Sequence, residues 1–186
     1  NQTLSTLGCT YDILVIDTLT EKDQTKEVCI QNGTKYIPRE NGNTYGDAVR
    51  TGIKYATGKY TIFMDSDGSH APEFVKNLLE HKNDNDVVIA SRYVKGGDTD
   101  NIKILILMSW IVNICYSVVL NIKCKDVSNS FKIYRTKALK EITLYSRHFE
   151  VIEEILYKLI KKISNSSKST YSTSTSYRSS ITHSTR

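Results

Sequence analysis

The 186-residue chain lacks the cysteine spacing that is typical of metal-binding proteins and the basic clusters that are typical of nucleic-acid-binding proteins. Its four cysteines form no C-x-x-C pair and have no metal-ligand spacing, so we expect reduced, mostly buried thiols in a cytoplasmic protein: Cys9, Cys29, Cys115 and Cys124. No Lys/Arg cluster contains interleaved aromatic residues, and nucleic-acid binding is therefore not indicated. The net charge of +5 instead fits anionic ligands or an anionic membrane surface.

The sequence also shows no signal peptide and no initiator methionine, and its C-terminal segment has few of the apolar residues that form a core. Residues 164–186 are mostly Ser and Thr, with no acidic residue and one aliphatic residue. Such a segment cannot bury a core, so we predict that this tail is disordered. Residues 1–163 are predicted to form one globular domain whose true start lies before Asn1.

No charged residue occurs from 104 to 122, a run of nineteen residues. The length would permit a membrane-spanning helix. However, Ser109, Asn113, Ser117 and Asn121 recur every four residues and would share one helical face. A buried core helix and an amphipathic helix at a membrane interface both fit this pattern better. The second of these requires an apolar face that is left open.

Apolar runs alternate with helical patterns along most of the domain. The predicted strands cover residues 11–16, 27–30, 60–64 and 86–90, with a further loop and strand within 126–134; the predicted helices cover 45–56, 72–81 and 149–160. Several of these strands are continuously apolar, as strands covered on both faces are. The pattern predicts an α/β fold with a parallel or mixed sheet and helices on both of its faces.

Two carboxylates, Asp65 and Asp67, directly follow the apolar run 60–64. A buried strand that ends in D-x-D places two oxygen ligands at the carboxyl edge of the sheet, where α/β folds bind ligands. In continued strand geometry both side chains would point the same way. Because two like charges so close repel each other, Mg²⁺ or Mn²⁺ bridging to phosphate oxygens would stabilise the pair. We therefore predict a metal-assisted diphosphate site.

Four sequence blocks together resemble family 2 glycosyltransferases of the GT-A fold, near the dolichyl- and polyprenyl-phosphate sugar transferases. The blocks are DILVIDTLTEKDQT (12–25), RENGNTYGDAVRTGIKYATGKYTIFMDSDGSHAPEF (39–74), VVIASRYVKGG (87–97) and KDVSNSFKIYR (125–135). The resemblance implies a Rossmann-like mixed sheet and metal-dependent, inverting transfer of a sugar from a nucleotide-diphosphate sugar. In such proteins a strand carrying Pro-x-Tyr-Asn-Glu comes first, and this segment is missing here.

The resemblance assigns Asp17, Arg39 and Gly46 to nucleotide-sugar binding, together with Asp65. Thr18 and Leu19 stand where the family has a second Asp and a Gly. A glycine at position 46 would permit close approach of the backbone and leave amides free toward phosphate. Asp65 and Asp67 would hold the metal that neutralises the departing nucleoside diphosphate.

The same resemblance assigns Arg92 a catalytic role at the phosphates, beside Asp67. Ser109, Lys132 and Arg135 would contact the acceptor or its phosphate, in a block that begins at Asp126. Within this block Ser130 replaces the family's Gly and Lys132 replaces its Arg; lysine keeps the charge but loses the bidentate fork. His70 is left unassigned, since a lone histidine is more often structural.

The acceptor is predicted from the protonation chemistry of the reaction. A sugar hydroxyl needs a general base, whereas a phosphate is already ionised at pH 7. No Glu-Asp pair suited to a base stands out, which favours a lipid-phosphate acceptor and in-line displacement. The expected partners are a nucleotide-diphosphate sugar, a polyprenyl or dolichyl phosphate and, through 104–122, the cytoplasmic face of a membrane.

Two alternatives stay open from the sequence. MDSDGS also fits the nucleophile loop of haloacid-dehalogenase-like phosphatases, in which Asp65 would attack phosphate and Asp67 would serve as acid/base. The chain could also be a non-catalytic fragment of a glycosyltransferase that still binds metal weakly.

Overall fold

The computed structural model describes residues 2–83, 85–91, 98–99, 103–119, 126–164, 171–176 and 178–179. The strands within these ranges are β1 (Leu14–Asp17), β2 (Lys35–Pro38), β3 (Tyr60–Phe63), β4 (Val87–Ser91), β5 (Asp98–Thr99), β6 (Lys132–Arg135), β7 (Tyr171–Ser176) and β8 (Arg178–Ser179). The helices are α1 (Gln2–Ser5), α2 (Thr25–Gln31), α3 (Tyr45–Tyr55), α4 (Val75–Glu80), α5 (Lys103–Val119), α6 (Thr136–Lys140) and α7 (Val151–Ser164), with a 3₁₀ turn, Pro72–Phe74, before α4.

The main sheet has the strand order β3-β6-β4-β7, and β1 pairs with β2 in a separate parallel pair. β6 is antiparallel to both β3 and β4, so the predicted mixed α/β sheet is confirmed. Among the described residues β1 has no partner besides β2, and β3 none besides β6. The free edges of β1 and β3 line one cleft, and α3 packs beneath both.

Two apolar clusters cover opposite faces of the main sheet. Val87 and Ile89 of β4 belong to one cluster, which contains α3 and α7, while Val88 and Ala90 belong to the other, which contains α4. This alternation follows from the two-residue period of a strand, and it explains why β4 is apolar throughout. The sheet therefore has helices on both faces, as the sequence predicts.

The predicted strand 27–30 is wrong, because these residues lie in α2. The Asp23 carboxylate accepts hydrogen bonds from the Thr25 amide (2.9 Å) and hydroxyl (2.5 Å), which satisfies a donor of the first helical turn. The second strand is Lys35–Pro38 instead, paired residue by residue with β1. An apolar pattern of four residues was too short to distinguish a strand from a helix.

Two short strands, β7 and β8, lie inside the tail for which the sequence predicts disorder. β7 pairs in parallel with β4, on the edge that β6 leaves free. Threonine is well tolerated in strands, and an edge strand offers unpaired backbone groups to any segment that can extend along it. The predicted disorder therefore does not hold for Tyr171–Ser176. Residues 165–170, 177 and 180–186 lie outside the described residues.

The start of α3 is fixed by a capping box. The Asp47 amide donates to the Thr44 hydroxyl (3.2 Å), and the Asp47 carboxylate accepts from the Thr44 amide (3.0 Å). Asp47 also receives the Thr44 hydroxyl (2.6 Å) and a guanidinium nitrogen of Arg50 (2.7 Å). These hydrogen bonds lower the pKa of Asp47 from 3.8 to about 2, and the one from the Thr44 side chain has the largest effect.

This lowered pKa makes the contribution of Asp47 to stability depend on pH. The contribution is fully present above the unfolded value, near pH 3.8, and is lost as the pH falls toward 2. We therefore expect Asp47→Asn to lower the free energy of unfolding at pH 6, and this difference from wild type to shrink below about pH 4. Urea unfolding followed by circular dichroism at several pH values measures it; a difference that is constant from pH 6 to pH 3 would contradict this account.

Candidate functional site

Two strand ends and the turn that carries D-x-D meet at one side of the cleft. The cleft has a volume of about 1710 Å³ and is lined by β1, β3 and α3. Arg39, Asp65 and Asp67 all line it, and Phe149 reaches it from the loop before α7. Three of the residues that the sequence assigns to nucleotide-sugar and metal binding thus line the same cleft.

Asp65 and Asp67 lie in the turn after β3, not in a continuation of the strand. β3 ends at Phe63, and the chain turns through Gly68, whose φ of +82° lies in the left-handed region that favours glycine. The prediction that strand geometry would carry both carboxylates to the same face is therefore wrong. The two side chains have separate surroundings, and what they share is the cleft.

The Asp65 carboxylate is held by side chains from distant parts of the chain. Oδ2 accepts a hydrogen bond from the Ser130 hydroxyl (2.9 Å), and Oδ1 lies 3.4 Å from the Tyr45 hydroxyl. The Asp65 amide donates to His70 Nδ1 at 3.1 Å. His70 itself is buried and stacks on Phe131, with ring centroids 4.7 Å apart. Asp65 is thus oriented, and its side chain remains 31% exposed to the cleft.

Asp67 is exposed and has fewer contacts. Its Oδ1 accepts the Ser69 amide at 2.9 Å, which closes a small turn around Gly68. Hydrogen bonds from Ser69 lower the pKa of Asp67, so this carboxylate is ionised at neutral pH. In the part of the chain that the structure describes, no group of three His, Cys, Asp or Glu side chains is placed to hold a metal ion. The oxygen donors available to a cation here are those of Asp65 and Asp67, and a cation that also binds phosphate would need few others.

Asp17 and Arg39 lie on the β1–β2 side of the site. Asp17 ends β1, and its carboxylate accepts from the Thr18 amide (2.7 Å) and the Tyr36 hydroxyl (3.1 Å). Arg39 follows β2, and its Nη1 donates to the carbonyls of Asn43 (2.8 Å) and Thr44 (3.4 Å). Its Nε is buried and has no hydrogen-bond partner among the described atoms. The Arg39 side chain is therefore held against the turn that leads into α3.

Gly46 has a different role from the predicted one. Its amide donates to the Arg147 carbonyl at 2.7 Å, so it is not free toward phosphate. A Cβ built on Gly46 would lie 2.2 Å from the Ser146 carbonyl oxygen. The glycine is therefore needed because the loop before α7 packs directly on the first turn of α3.

The loop 145–150 completes the wall of the site, and nothing in the sequence indicated this. Arg50 anchors the loop by donating to the Ser146 carbonyl (2.6 Å). Phe149 stacks on Tyr45, with centroids 4.4 Å apart, so the Tyr45 ring is covered. Burial first, and the nearby Asp65 charge second, raise the pKa of Tyr45, which keeps its hydroxyl a donor. Such contacts between residues about 100 positions apart leave no local signal.

The predicted acceptor residues Lys132 and Arg135 do not line the cleft, and Arg135 lies opposite Tyr60, at the end of β3 away from Asp65. Lys132 is fully buried in β6, and its Nζ donates to the Val127 carbonyl at 2.8 Å. Arg135 pairs with Asp86, with 2.8 Å between Nε and Oδ1. Arg92 lies outside the described residues, as does the side chain of Ser109. Asp126 is fully buried. Lys132 and Arg135 therefore already have partners within the fold.

Helix α5 presents apolar side chains to solvent and the polar side chain of Asn113 to the protein. Asn113 is buried, and its Oδ1 accepts from the Ser128 amide at 3.1 Å. The exposed side chains include Ile104, Leu107, Met108, Trp110, Ile111, Val112, Ile114, Val118 and Val119. The sequence left open a buried core helix and an amphipathic helix at a membrane interface. The observed helix has the open apolar face that the second of these requires. None of the described helices is long and apolar enough to cross a bilayer.

The thiols of Cys9 and Cys115 are exposed, and that of Cys29 is buried. The prediction of mostly buried thiols is therefore wrong for Cys9 and Cys115.

The sequence matches the family described as glycosyl transferase family 2 over residues 1–143. It is 33% identical over 161 residues to a dolichol-phosphate mannosyltransferase of Pyrococcus furiosus, which covers 81% of this chain and 45% of that protein. It is 37% identical over 112 residues to an undecaprenyl-phosphate mannosyltransferase of Micrococcus luteus, which covers 58% of this chain and 46% of that protein. The chain thus spans about half the length of these relatives.

Solved structures share the fold at low sequence identity. The glucosyl-3-phosphoglycerate synthase of Mycobacterium tuberculosis, solved with Mn²⁺, UDP and phosphoglyceric acid, superposes with a TM-score of 0.67 at 16% identity, over 92% of this chain and 61% of that one. A mycobacterial protein superposes with a TM-score of 0.68 at 14% identity, over 96% of this chain and 60% of that one. These superpositions confirm the predicted GT-A architecture.

Proposed function

The chain belongs to glycosyl transferase family 2, and on this basis we propose that it transfers a sugar from a nucleotide-diphosphate sugar to a polyprenyl or dolichyl phosphate, with inversion and with the help of Mg²⁺ or Mn²⁺. The observation that carries the proposal is that Arg39, Asp65 and Asp67, each of which follows the end of a strand, line one cleft. The two relatives, which align with 81% and 58% of this chain, are named as a dolichol-phosphate and an undecaprenyl-phosphate mannosyltransferase.

The nucleotide-sugar would lie along the carboxyl edge of β1 and β3. Asp17 would accept hydrogen bonds from the nucleoside, and Arg39 would bring its guanidinium charge to the diphosphate. Asp65 and Asp67 would hold the divalent cation, which supplies Lewis-acid neutralisation of the departing diphosphate. A hard cation and two carboxylates facing a cleft fit each other, and a fold neighbour was solved with Mn²⁺ and UDP. Arg92 would stabilise the same charge.

The chain's own residues then position the two substrates. The loop 145–150 and the Tyr45–Phe149 stack exclude water from one side of Asp65. A phosphate acceptor needs no base, so charge neutralisation and alignment suffice for in-line attack on the anomeric carbon. Ser109 would lie toward the acceptor, and Lys132 would act through the loop that its Nζ holds. Arg135 pairs with Asp86 and lies opposite Tyr60, at the end of β3 away from Asp65, so it is given no contact with the acceptor.

The open face of α5 would bind the cytoplasmic surface of a membrane and so bring the enzyme to its lipid acceptor. Lys103 precedes the apolar segment and Lys123 and Lys125 follow it in the sequence, a charge pattern that suits anionic lipid headgroups. The buried Asn113 shows that the helix is held by its polar side, which leaves the apolar side available.

Binding to vesicles tests this surface. We expect Leu107→Ser combined with Val118→Ser, at side chains 54% and 73% exposed, to reduce the bound fraction at least ~10-fold, since each loses about 1.5 kcal/mol or more of apolar burial in lipid. The matched control is Val28→Ser with Ile30→Ser on α2, 50% and 69% exposed. Co-sedimentation with vesicles containing phosphatidylglycerol measures both. Equal loss in the two double variants would contradict a specific role for α5.

Of the two alternatives, the phosphatase is not favoured by the family match. The hydrogen bond from Ser130 and the approach of Tyr45 would also restrain Asp65 as a nucleophile. Trapping an aspartyl-phosphate on Asp65 would nevertheless overturn the proposed transfer. A non-catalytic fragment would still bind its ligand but would transfer no sugar.

The direct test is isothermal titration of the protein with UDP- and GDP-sugars, with Mn²⁺ and again with EDTA. We expect at least one nucleotide sugar to bind with Mn²⁺ and to lose at least ~10-fold in affinity with EDTA. Nucleotide-sugar binding that is indifferent to metal would contradict the metal role, and no binding of any nucleotide sugar would contradict the proposed substrate class.

A further inference from the structure

We propose that Ser130 and His70 are positioning residues that fix the Asp65 carboxylate through a closed ring of three hydrogen bonds. This ring runs from the Asp65 amide through the His70 imidazole and the Ser130 hydroxyl back to the Asp65 carboxylate. The role rests on the proposed function, because it concerns how Asp65 is presented to a cation.

The direction of each hydrogen bond follows from the first one. The Asp65 amide can only donate, so His70 Nδ1 must accept and carries no proton (3.1 Å). A neutral imidazole then has its proton on Nε2. His70 Nε2 lies 3.5 Å from Ser130 Oγ and, being a donor, leaves that oxygen to accept. The single hydroxyl proton of Ser130 therefore goes to Asp65 Oδ2 at 2.9 Å.

The ring is held by rigid parts of the fold. His70 is 7% exposed and stacks on Phe131, which is fully buried between β4 and α4. Asn129 fastens the loop next to Ser130, since its Oδ1 accepts the Phe131 amide (2.9 Å) and its Nδ2 donates to the Ala90 carbonyl. Ser130 therefore presents its hydroxyl from a fixed backbone.

The ring occupies one lone pair of Oδ2, and the Tyr45 hydroxyl lies 3.4 Å from Oδ1. A carboxylate has about four acceptor positions, so at least one on each oxygen stays available to a cation. Outer hydrogen bonds of this kind orient metal-binding carboxylates, and their loss typically costs 10–100-fold in metal affinity. Asp67, by contrast, is held by the local turn in which its Oδ1 accepts the Ser69 amide.

Mn²⁺ affinity, measured by electron paramagnetic resonance with the nucleotide sugar that binds best, tests the role of the ring. We expect Ser130→Ala to weaken Mn²⁺ about 10-fold and Ser130→Thr, which restores a hydroxyl, to recover wild-type affinity within about 3-fold. The control is Ser128→Ala, which removes a hydroxyl of the same loop that lies outside the ring, 3.4 Å from Asn113 Oδ1. Equal Mn²⁺ affinity in wild type and Ser130→Ala would overturn the positioning role, and so would equal losses in Ser128→Ala and Ser130→Ala.

A second measurement does not depend on any ligand. Long-range ¹H–¹⁵N correlation spectra of the wild-type protein are expected to show His70 as the Nε2–H tautomer, with Nδ1 unprotonated. A His70 protonated on Nδ1 would overturn the ring itself. If the tautomer is as expected and the wild-type protein binds neither Mn²⁺ nor nucleotide sugar, the proposed function fails, and the positioning role fails with it while the ring stands as structure.

Discussion

Replacing Asp67 with alanine is expected to reduce turnover at least ~100-fold, because the carboxylate would hold the cation that neutralises the departing diphosphate. Asp67 is exposed at the cleft, and it makes its side-chain contact to the Ser69 amide rather than to the core. The loss should therefore appear in nucleotide-sugar binding and turnover, with the melting temperature little changed. Initial rates with saturating Mn²⁺, compared with wild type, measure it.

Asp67→Asn separates the metal role from the turn that Asp67 closes. Asparagine keeps the Oδ1 acceptor for the Ser69 amide, so the turn should persist, but it removes the charge. We expect Asn and Ala variants to be nearly equally impaired. The charge-matched control is Glu141→Gln, at an exposed residue paired with Lys162, which should keep wild-type rates. Wild-type activity in Asp67→Asn would show that the turn matters and the charge does not.

Gly46→Ala is expected to destabilise the fold by about 3 kcal/mol. The added Cβ would meet the Ser146 carbonyl oxygen at 2.2 Å and the Arg147 backbone at 3.0 Å, and backbone atoms cannot rotate away as a side chain can. The loop 145–150 must then shift, and the Tyr45–Phe149 stack that it carries is lost with it. Urea unfolding measures the stability change.

Gly52→Ala, in the same helix, provides the matched control. Its Cβ would meet Ile16 at 3.6 Å and Phe63 at 3.7 Å, which are ordinary van der Waals distances. Since alanine is favoured over glycine in a helix by roughly 0.5–1 kcal/mol, this variant should be as stable as wild type or slightly more so. Equal destabilisation of both variants would indicate a general intolerance of α3 rather than the contact with the loop.

The sequence was sufficient to predict most of the main sheet and the place of the D-x-D turn. β3 and β4 are continuously apolar and were recognised for that reason, and α3 was recognised from its helical spacing. The position of Asp65 and Asp67 could also be predicted, because charged side chains that directly follow a buried strand must lie at the edge of its sheet. These are local signals, and local signals survive in a single sequence.

The surroundings of the carboxylates could not be predicted in the same way. Ser130 reaches Asp65 across 65 positions of sequence, and Phe149 covers Tyr45 across about 100. The substitution of Ser130 for the family's glycine was visible in the sequence, but its meaning depended on where β6 pairs. Gly46 was assigned to phosphate binding because a glycine before a helix suits both a ligand and a crossing loop, and only the fold distinguishes them.

The central claim, sugar transfer to a lipid phosphate, is tested most directly by following the product. The wild-type protein is incubated with polyprenyl phosphate, the nucleotide sugar that binds best and Mn²⁺, and the lipid fraction is analysed by mass spectrometry. We predict a polyprenyl phosphate heavier by one sugar residue, formed with Mn²⁺ and absent with EDTA. Tight, metal-dependent binding of the nucleotide sugar with no glycosylated lipid phosphate would contradict the claim.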